Sequence, residues 1–404
     1  MLSVSNTPRI SGTSTRNLKS SILITGARAP VAFHLARLLI DAGHSVVLVD
    51  QLKHPLAAAS QVNIPYRQIP GFSDDPEAAG DALHDVIEEH DIDYVIPTCE
   101  EVLHLGALWK RKPPRAKLFA PKLAELSQVH HKYNFIRLCE DLDLPIPRTH
   151  LITTPAELAA HVPNAGDLVF KPVWSRFGSQ ILIRPKARKL QQIRPTHQNP
   201  WVAQEYVDGT ELCVYAIARA GKLIALSAYR GLVRAGPGTA ICFAPENSEP
   251  LRGFVEKIVS ATAWTGQISF DVMRTQDGRF LPLECNPRAT SGLHFFSDGA
   301  AFSQAMFGQT DAVKPDVHPP QTLPLALWLY GLPMMLKKEQ RLIFLDALRR
   351  SGDVMRWPSD RVGYSAQLRA VAELAGIAFR HRISLERAST WGIEWNGEDQ
   401  SAIS

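Results

Sequence analysis

Apolar and polar positions near the start of the chain follow the pattern of a βαβ unit. Residues 21–26 contain three apolar residues at 22–24 and end at a glycine, residues 31–42 carry apolar side chains at helical spacing, and residues 44–50 contain four apolar residues at 46–49. A strand, a helix and a second strand in this order are typical of a doubly wound parallel sheet. A further apolar run at 94–97 leads into residues 98–101, which we expect at the start of a helix. Such junctions lie at the carboxyl edge of a parallel sheet, where ligands bind.

The middle of the chain places a lysine at the end of a predicted strand. Residues 168–172 have the composition of a strand, include Lys171, and are followed by a loop at 173–179 that contains two serines and a glycine. A lysine in this position can grip a phosphate by its charge while the loop supplies backbone amides. Upstream, residues 131–142 follow a helical pattern that carries Lys132.

Later segments extend the alternation of strands and helices. Residues 201–214 predict a strand, a turn with glycine and a second strand, whereas residues 229–238 predict a loop that contains glycine and arginine. Helical patterns follow at 251–262, 337–350 and 365–378.

These patterns divide the chain into four predicted parts. They are a disordered tail at 1–20, an N-terminal α/β domain at 21–125, a central domain at 126–312 with a lid at about 145–205, and a mostly helical extension at 313–404. The tail lacks the apolar core of a secretory signal, and a transit peptide is the less favoured alternative for it. Trp391 and Trp395 predict that the end of the extension packs back onto the body of the protein.

A predicted hairpin brings two carboxylates together. Residues 268–273 and 280–286 are β-prone, and the Asp-Gly pair at 277–278 between them is a strong hairpin signal. With that pair at the centre of a two-residue turn, Gln276 would face Arg279, and Asp271 would face Glu284. Pro282 cannot donate a ladder hydrogen bond and therefore predicts a sheet edge or a bulge.

The facing carboxylates predict a cation site. Like charges opposite each other destabilise a hairpin unless a positive charge lies between them. Asn286 and Arg288 follow Glu284 at spacings of two, so an extended chain would place all three side chains on one face. Carboxylate and amide oxygens suit Mg²⁺, and the guanidinium suits an anion that the metal brings with it. The hairpin therefore predicts a site for Mg²⁺ and a nucleotide, with Mn²⁺ as an alternative ion.

Composition and charge exclude several classes of protein. The chain has 404 residues, of which 45% are hydrophobic and 21% charged, as in ordinary globular proteins. The net charge of +4 and the absence of a basic stripe argue against a nucleic-acid partner. No apolar stretch is long enough to span a bilayer, so we expect no membrane partner. Five scattered cysteines without a paired spacing argue against a disulfide framework or zinc site and for a cytoplasmic location.

A dinucleotide cofactor is a weaker alternative for the first βαβ unit. After Gly26 the dinucleotide fingerprint would need glycines where the chain has Arg28 and Val31. Asp50 at the end of the second strand is the one feature that favours NAD.

Taken in order, these pieces resemble the ATP-grasp superfamily, in particular members built like biotin carboxylase and the large chain of carbamoyl-phosphate synthetase. The resemblance covers about residues 21–300, and its most specific part is the pair Asp271 and Glu284 followed by Asn286-Pro287-Arg288. It implies an α/β ATP-grasp fold behind an N-terminal doubly wound domain of parallel sheet, and it does not extend to the helical extension.

The resemblance also implies ligand roles, with ATP and Mg²⁺ as cofactors. The implied contacts are Lys132 and Lys171 on the phosphates; Ser175, Gly178 and Ser179 in the loop over them; Gln204, Glu205, Tyr206 and Val207 at the adenine; Glu211 at the ribose; and Asp271, Glu284 and Asn286 on the metal. Arg288, Lys171 and Asn286 would be catalytic. The chain departs from the family in having one glycine in the phosphate loop and Gln204 where an acid is common.

The implied reaction is the activation of a small-molecule carboxylate as an acyl phosphate, followed by attack of an amine. Glu100, Arg230, Arg234 and His294 are candidates for substrate contact because each is expected near this site. Two alternatives stay open: an enzyme that activates bicarbonate, and an ATP-binding protein without turnover. The expected partners are the two small substrates, with a homodimer as one possible assembly.

Overall fold

The first layer is a parallel sheet flanked by helices. The computed structural model describes residues 19–174, 180–235, 239–308 and 312–397. The first elements are β1 (Ser21–Thr25), α1 (Pro30–Asp41), β2 (Ser45–Asp50), β3 (Tyr66–Gln68), α2 (Pro76–Glu89), β4 (Tyr94–Ile96), α3 (Glu101–Arg111) and β5 (Lys117–Leu118). The five strands are all parallel, in the order β3-β2-β1-β4-β5. The predicted doubly wound sheet is confirmed.

Sequence features explain this local structure. Ile22, Leu23 and Ile24 are fully buried in the central strand β1, as the apolar run predicts. Pro30 occupies the first turn of α1, where its missing N–H has no intrahelical partner to lose. Gly26 leaves β1 with φ +77, a left-handed conformation that glycine adopts without strain. The chain therefore turns tightly at the carboxyl edge of the sheet.

A small antiparallel sheet follows two linking helices. The helices are α4 (Leu123–His130) and α5 (Lys132–Asp141). The next elements are β6 (Thr149–Ile152), α6 (Pro155–His161), β7 (Leu168–Pro172), β8 (Leu182–Ile183), α7 (Ala187–Leu190) and β9 (Trp201–Glu205). The strand order is β6-β9-β7-β8, and β9 pairs with both β6 and β7.

A larger sheet of seven strands forms the second core. Its region contains β10 (Thr210–Arg219), β11 (Lys222–Ala235), β12 (Thr239–Glu246), α8 (Arg252–Ala261), β13 (Gly266–Arg274), β14 (Phe280–Asn286), α9 (Gly299–Phe307) and β15 (Gln321–Thr322). The order is β14-β13-β10-β11-β12-β15-β16, with the last strand, β16 (Gly352–Asp353), contributed by the extension.

One sequence expectation is wrong here. Residues 229–235 do not form a loop but continue β11, which pairs with β12 along this stretch. Tyr229 and Val233 are buried, so the apolar side chains of this segment belong to the core despite the glycine and arginines between them. Cross-strand pairing and burial outweigh the loop-forming composition.

The C-terminal extension is mostly helical, as predicted. It contains α10 (Pro324–Gly331), α11 (Lys338–Arg350), β16, β17 (Arg356–Trp357), β18 (Asp360–Arg361), α12 (Tyr364–His381) and α13 (Leu385–Ala388). A single-turn 3-10 segment, Leu332–Leu336, links α10 to α11.

The end of the chain returns to the body. Trp395 is 2% exposed and joins the core formed by α4, α5 and the large sheet. Its backbone N–H donates to Glu100, and the backbone oxygen of Glu394 contacts Nε2 of His104. The predicted return of this segment is confirmed. Within the described residues, no helix is both long and apolar enough to cross a bilayer.

Candidate functional site

The hairpin β13–β14 places the two carboxylates opposite each other, as predicted. Asp271 pairs with Glu284 in the antiparallel ladder. The expected pairing of Gln276 with Arg279 is wrong, because the Thr275 N–H donates to the Arg279 oxygen at 2.9 Å. The turn therefore has three residues, and Gly278 takes the left-handed position with φ +85.

A bulge restores the predicted register at the acids. Met273 pairs with Leu281 and Val272 with Pro282, one residue out of the predicted register, and the irregularity between Asp271 and Val272 moves it back. Leu283 is the extra residue on β14, next to Pro282. β14 is also the edge of the seven-stranded sheet. Both features predicted from the proline are thus present.

Two lysines from separate elements converge on the pair of acids. Lys132, at the start of α5, lies with its Nζ 3.2 Å from Oε2 of Glu284. Lys171, near the end of β7, donates to the backbone oxygen of Leu283 at 3.3 Å. Both lysines are nearly buried, at 4% and 5% exposure. Residues that lie far apart in the sequence thus place two positive charges around one carboxylate.

The remaining polar contacts form a chain along one face of the hairpin. Nδ2 of Asn286 donates to Oδ2 of Asp271 at 3.3 Å, and Nη2 of Arg288 donates to Oδ1 of Asn286 at 3.3 Å. From the neighbouring strand β10, Sγ of Cys213 donates to Oδ1 of Asp271 at 2.8 Å. The predicted face of Glu284, Asn286 and Arg288 is therefore assembled, with Asp271 beside it.

Burial and neighbouring charges shift the pKa values of the two carboxyl groups in opposite directions. Burial, followed by the negative charge of Glu284, raises the pKa of Asp271 to about 7. Burial also opposes ionisation of Glu284, but the charges of Lys132 and Lys171 outweigh it and lower its pKa. Burial lowers the pKa of Lys171 to about 8, although Glu284 acts in the opposite direction. Without a cation, the site thus holds Asp271 as the less acidic member of the pair.

The donor set suits a hard divalent cation. Asp271 and Glu284 offer carboxylate oxygens, and Asn286 offers a carboxamide oxygen that accepts from Arg288 in this arrangement. Glu211 and Cys213 bring ligand atoms within 4.8 Å of one from Asp271. Cys213 is a site residue that the sequence prediction missed, although the alternation of β10 places it on the same face as Glu211.

These groups open into one cavity of about 500 Å³. Its lining includes all four residues predicted at the adenine: Gln204, Glu205, Tyr206 and Val207. Gln204 is 2% exposed, and its Nε2 donates to the Thr149 hydroxyl at 3.1 Å. The apolar side chains of Val169, Ile181 and Ile183 line the same cavity, as a flat heterocycle would require.

The remaining predicted nucleotide contacts are Glu211 at the ribose and the loop over the phosphates. Glu211 lines the cavity but pairs with Arg234, whose Nη2 lies 3.2 Å from its Oε1. A ribose hydroxyl at Glu211 would therefore share this carboxylate with the arginine. The predicted phosphate loop, with Ser175, Gly178 and Ser179, lies outside the described residues.

The four substrate candidates do not all reach the cavity. Glu100, Arg234 and His294 line it, whereas Arg230 is not among its lining residues. Nε of Arg230 instead lies 2.7 Å from Oε1 of Glu246, so this guanidinium faces another carboxylate. The prediction for Arg230 is thus not supported by its position.

Glu100 and His294 have contrasting environments. Glu100 is 4% exposed, lies 3.2 Å from Nε2 of His130 and accepts the backbone N–H of Trp395. His294 is 3% exposed, and its Nδ1 has no hydrogen-bond partner among the described residues. Burial, then the neighbouring His34 and Arg37, lowers the pKa of His294 well below its ordinary value. His294 is therefore a neutral group at the cavity wall.

The sheet edge of the N-terminal domain also contributes to the wall of the cavity. Arg28, which the sequence prediction did not select, forms an ion pair with Asp50 at 2.6 Å and donates to the backbone oxygen of Trp391 at 2.8 Å. Asp50 is thus occupied by an arginine rather than open to a ribose, which further weakens the dinucleotide alternative. Ser389, Thr390 and Ile393 of the extension line the cavity beside Arg28.

Comparison with known proteins agrees with this geometry. Residues 129–292 match the family described as the ATP-grasp domain. N5-carboxyaminoimidazole synthetase from Staphylococcus aureus superposes with a TM-score of 0.60 at 15% identity, covering 80% of this chain and 88% of that one. Biotin carboxylase from Campylobacter jejuni gives 0.58 at 13% identity, covering 76% and 74%. An L-amino acid ligase from Bacillus licheniformis gives 0.52 at 15% identity, covering 72% and 74%.

At these identities the likeness is one of fold, and the sequence match covers the part of the chain that carries both lysines, the adenine segment and the paired acids. The predicted ATP-grasp fold is confirmed, and the match to the ATP-grasp domain family is confined to residues 129–292.

Proposed function

We propose that this protein is an ATP-dependent ligase that activates a small-molecule carboxylate as an acyl phosphate and couples it to an amine. The products would be an amide or peptide bond, ADP and phosphate. The observation that carries the proposal is the convergence of Lys132 and Lys171 on Glu284, opposite Asp271. Lys171, Asp271, Glu284 and Arg288 line one cavity together with residues 204–207.

The nucleotide would lie along this cavity. Its adenine would contact residues 204–207 and its phosphates would meet Lys171, all of which line the cavity. Lys132 is not among the lining residues and pairs with Glu284, so its contact with the phosphates stays a prediction. Mg²⁺ would be held by Asp271, Glu284 and Asn286, where it would neutralise phosphate charge. Two lysines that are buried beside Glu284 are suited to the same task, because phosphoryl transfer is accelerated mainly by positioning and charge neutralisation.

The reaction has two steps, and in each step one bond forms and one breaks. An oxygen of the substrate carboxylate attacks the γ-phosphorus, and the bond to the departing ADP breaks. The amine nitrogen then attacks the acyl carbon, and phosphate leaves with one of the original carboxylate oxygens. Arg288, two residues beyond the end of β14, lines the same cavity and would neutralise the phosphoryl group in both steps.

The amine must lose a proton before or during its attack. His294 lines the cavity, but burial disfavours its charged form, so this neutral imidazole is a weak base that is better suited to accepting a hydrogen bond from the amine than to keeping its proton. Glu100 already contacts His130 and the Trp395 backbone, which suits it to shaping the wall of the cavity.

Proteins of similar fold include ligases, which supports the proposal, and they also include biotin carboxylase, which supports one alternative. The structures that superpose include, by their names, an L-amino acid ligase and a phosphoribosylamine–glycine ligase from Thermotoga maritima, which form C–N bonds. They also include biotin carboxylase and N5-carboxyaminoimidazole synthetase. An enzyme that activates bicarbonate is therefore the second candidate, and an ATP-binding protein without turnover is the third.

Several finer expectations stay predictions. They are the division of the chain at residues 125 and 312, the use of Mn²⁺ in place of Mg²⁺, a homodimeric assembly and a cytoplasmic location.

The test is ADP release by the purified protein with Mg-ATP and pooled amino acids and carboxylic acids, with mass spectrometry of the products. The ligase predicts ADP together with a new mass equal to acid plus amine minus water. ADP formation that needs only bicarbonate would favour the second candidate. Binding of ATP without ADP under any mixture would favour the third and contradict the ligase.

A further inference from the structure

The helical hairpin of the extension carries an apolar surface that faces outward. Its connecting segment, Leu332–Leu336, has no buried residue, and Leu336 is 89% exposed. We call the exposed apolar side chains of this hairpin the apolar tip: Trp328, Leu329, Leu332, Met335, Leu336, Leu342 and Ile343. A run of large apolar side chains this exposed is unusual for a surface that meets only water.

The hairpin is firmly folded on its inner side. Leu327, Phe344 and Ala347 are buried, in one cluster with Val233 of β11 and Ile241 of β12. Gly331 lets α10 approach α11 closely, since a Cβ at this position would lie 2.4 Å from the ring of Phe344. The inner face therefore supplies the packing that holds the hairpin, and the apolar tip is a second apolar face that meets the inner one where Trp328 packs edge-on against Phe344.

Basic side chains border the apolar tip. Lys337, Lys338 and Arg341 are exposed at the start of α11, with Glu339 as the acid among them. Further along α11, Asp346 pairs with Arg350 at 2.8 Å and so does not offset this charge. An apolar surface with a tryptophan and a basic border matches the chemistry of an anionic lipid surface. Two copies of the tip packed together would instead bring like charges close to each other.

We propose that the apolar tip docks on the surface of a bilayer that contains anionic phospholipids. The sequence-based expectation of no membrane partner rests on the lack of a spanning stretch, whereas this contact is peripheral and needs none. Trp328 and the leucines would enter the headgroup region, and the lysines would contact the lipid phosphates. This association leaves the nucleotide cavity free, because no residue of the tip lines it. The inference is independent of the proposed ligase reaction.

The test is co-sedimentation of the full-length protein with vesicles. Vesicles of phosphatidylcholine alone are compared with vesicles that also contain phosphatidylglycerol, at low and high salt. The protein should bind the anionic vesicles, and high salt should weaken the binding. Leu336→Glu should lower the vesicle affinity on the order of tenfold or more, because it places a charge where an apolar side chain is buried by lipid. Phe379→Glu on α12 is the matched control, since Phe379 is also 89% exposed.

Several outcomes would overturn the proposal. Failure of the wild-type protein to bind anionic vesicles at low salt would do so. An equal loss of binding in Phe379→Glu would show nonspecific adhesion. Sedimentation velocity that shows a wild-type dimer and a Leu336→Glu monomer would assign the apolar tip to a second copy of the chain. Unchanged thermal unfolding of Leu336→Glu shows that the variant is folded, and lost vesicle binding in that folded variant supports the proposal.

Discussion

Neutralising either of the two facing carboxylates should abolish turnover, but the two changes should move stability in opposite directions. Asp271 is held by the folded protein with a raised pKa, whereas Glu284 is stabilised by two lysines. Asp271→Asn therefore removes an unfavourable charge, and Glu284→Gln removes a favourable one. We predict that the metal-free Asp271→Asn protein is more stable than the wild type and that Glu284→Gln is less stable.

The structure sets the size of the first effect. A pKa of about 7 against an ordinary value of 3.8 for Asp271 corresponds to an upper limit of about 4 kcal/mol above neutral pH. The side chain faces a cavity that water enters, and the variant weakens the hydrogen bond from Cys213. Allowing about 1 kcal/mol for each of these effects leaves a gain of about 2 kcal/mol.

The second effect has the opposite sign because two buried cations lose their partner. Glu284 lies 3.2 Å from Lys132 and beside Lys171, and its own side chain is 22% exposed. Removing one partner of a fully buried ion pair costs about 3–5 kcal/mol. We expect about 2 kcal/mol here, since water reaches the carboxylate.

The predicted gain should also depend on pH. A carboxyl group whose pKa is raised on folding stabilises the folded state at low pH. This contribution is lost as the pH rises through the pKa that the group has in the folded protein. The advantage of Asp271→Asn should therefore be small near pH 4 and complete above about pH 7.

The assay is urea unfolding of the wild type and both variants with a chelator present, repeated at about pH 5 and about pH 8. A repeat with Mg-ATP should raise the midpoint of the wild type alone, because ligand binding stabilises only a protein that retains the site. A shift of both variants in the same direction at the higher pH would refute the assigned electrostatics.

Three further predictions concern Arg288 in the site, the buried His34 in helix α1, and Trp395 in the extension. Arg288→Ala should lower the turnover number by about 10²-fold or more, as loss of a transition-state donor does, whereas Arg279→Ala on the same hairpin, 61% exposed, should not; equal activities would remove Arg288 from the mechanism. Burial lowers the pKa of His34 to about 4, so the unfolded chain binds the extra proton and the free energy of unfolding should fall by up to about 3 kcal/mol as pH drops from 6.5 toward 4. Urea unfolding of His34→Gln should lack this part of the pH dependence, and an identical dependence would contradict it. Trp395→Ala should lower the free energy of unfolding by about 3–5 kcal/mol because this side chain is 2% exposed, and a change below about 1 kcal/mol in urea unfolding would show that the extension is not part of the core.

The sequence predicts the acid pair because hairpin pairing is local. Asp271 and Glu284 lie thirteen residues apart, and strand propensity with a turn signal limits their register to few choices. The prediction nevertheless used a two-residue turn, and the pairing survives because the bulge near Leu283 offsets the longer turn. Pro282 is the one sequence feature that predicts a bulge here, and nothing in the sequence predicts that the bulge offsets the longer turn.

The arginines of β11 show where local inference fails. Arg230 and Arg234 lie four residues apart and would share one face of a regular strand. Register shifts on both sides of Val233 change this, so Arg234 faces the cavity and Arg230 faces Glu246. Bulges depend on the neighbouring strand, which a single segment does not reveal.

Contacts between residues far apart in the sequence also could not be predicted from local sequence patterns. Arg28 reaches the backbone of Trp391, 363 residues away, and Trp395 reaches Glu100, 295 residues away. Two tryptophans predict that the end of the chain packs somewhere, but not that it lines the cavity. That the extension contributes Ile393 and Thr390 to the wall becomes visible only in three dimensions.

The most direct test of the proposed chemistry follows an oxygen atom. Once the substrate pair is known, the acid is supplied with ¹⁸O in its carboxylate, and the phosphate released during turnover is analysed by mass spectrometry. Attack of the carboxylate on the γ-phosphorus beside Lys171 and Arg288 predicts one ¹⁸O atom in each phosphate and ADP as the nucleotide product. Phosphate without label, or AMP with labelled oxygen, would contradict an acyl phosphate formed in this site.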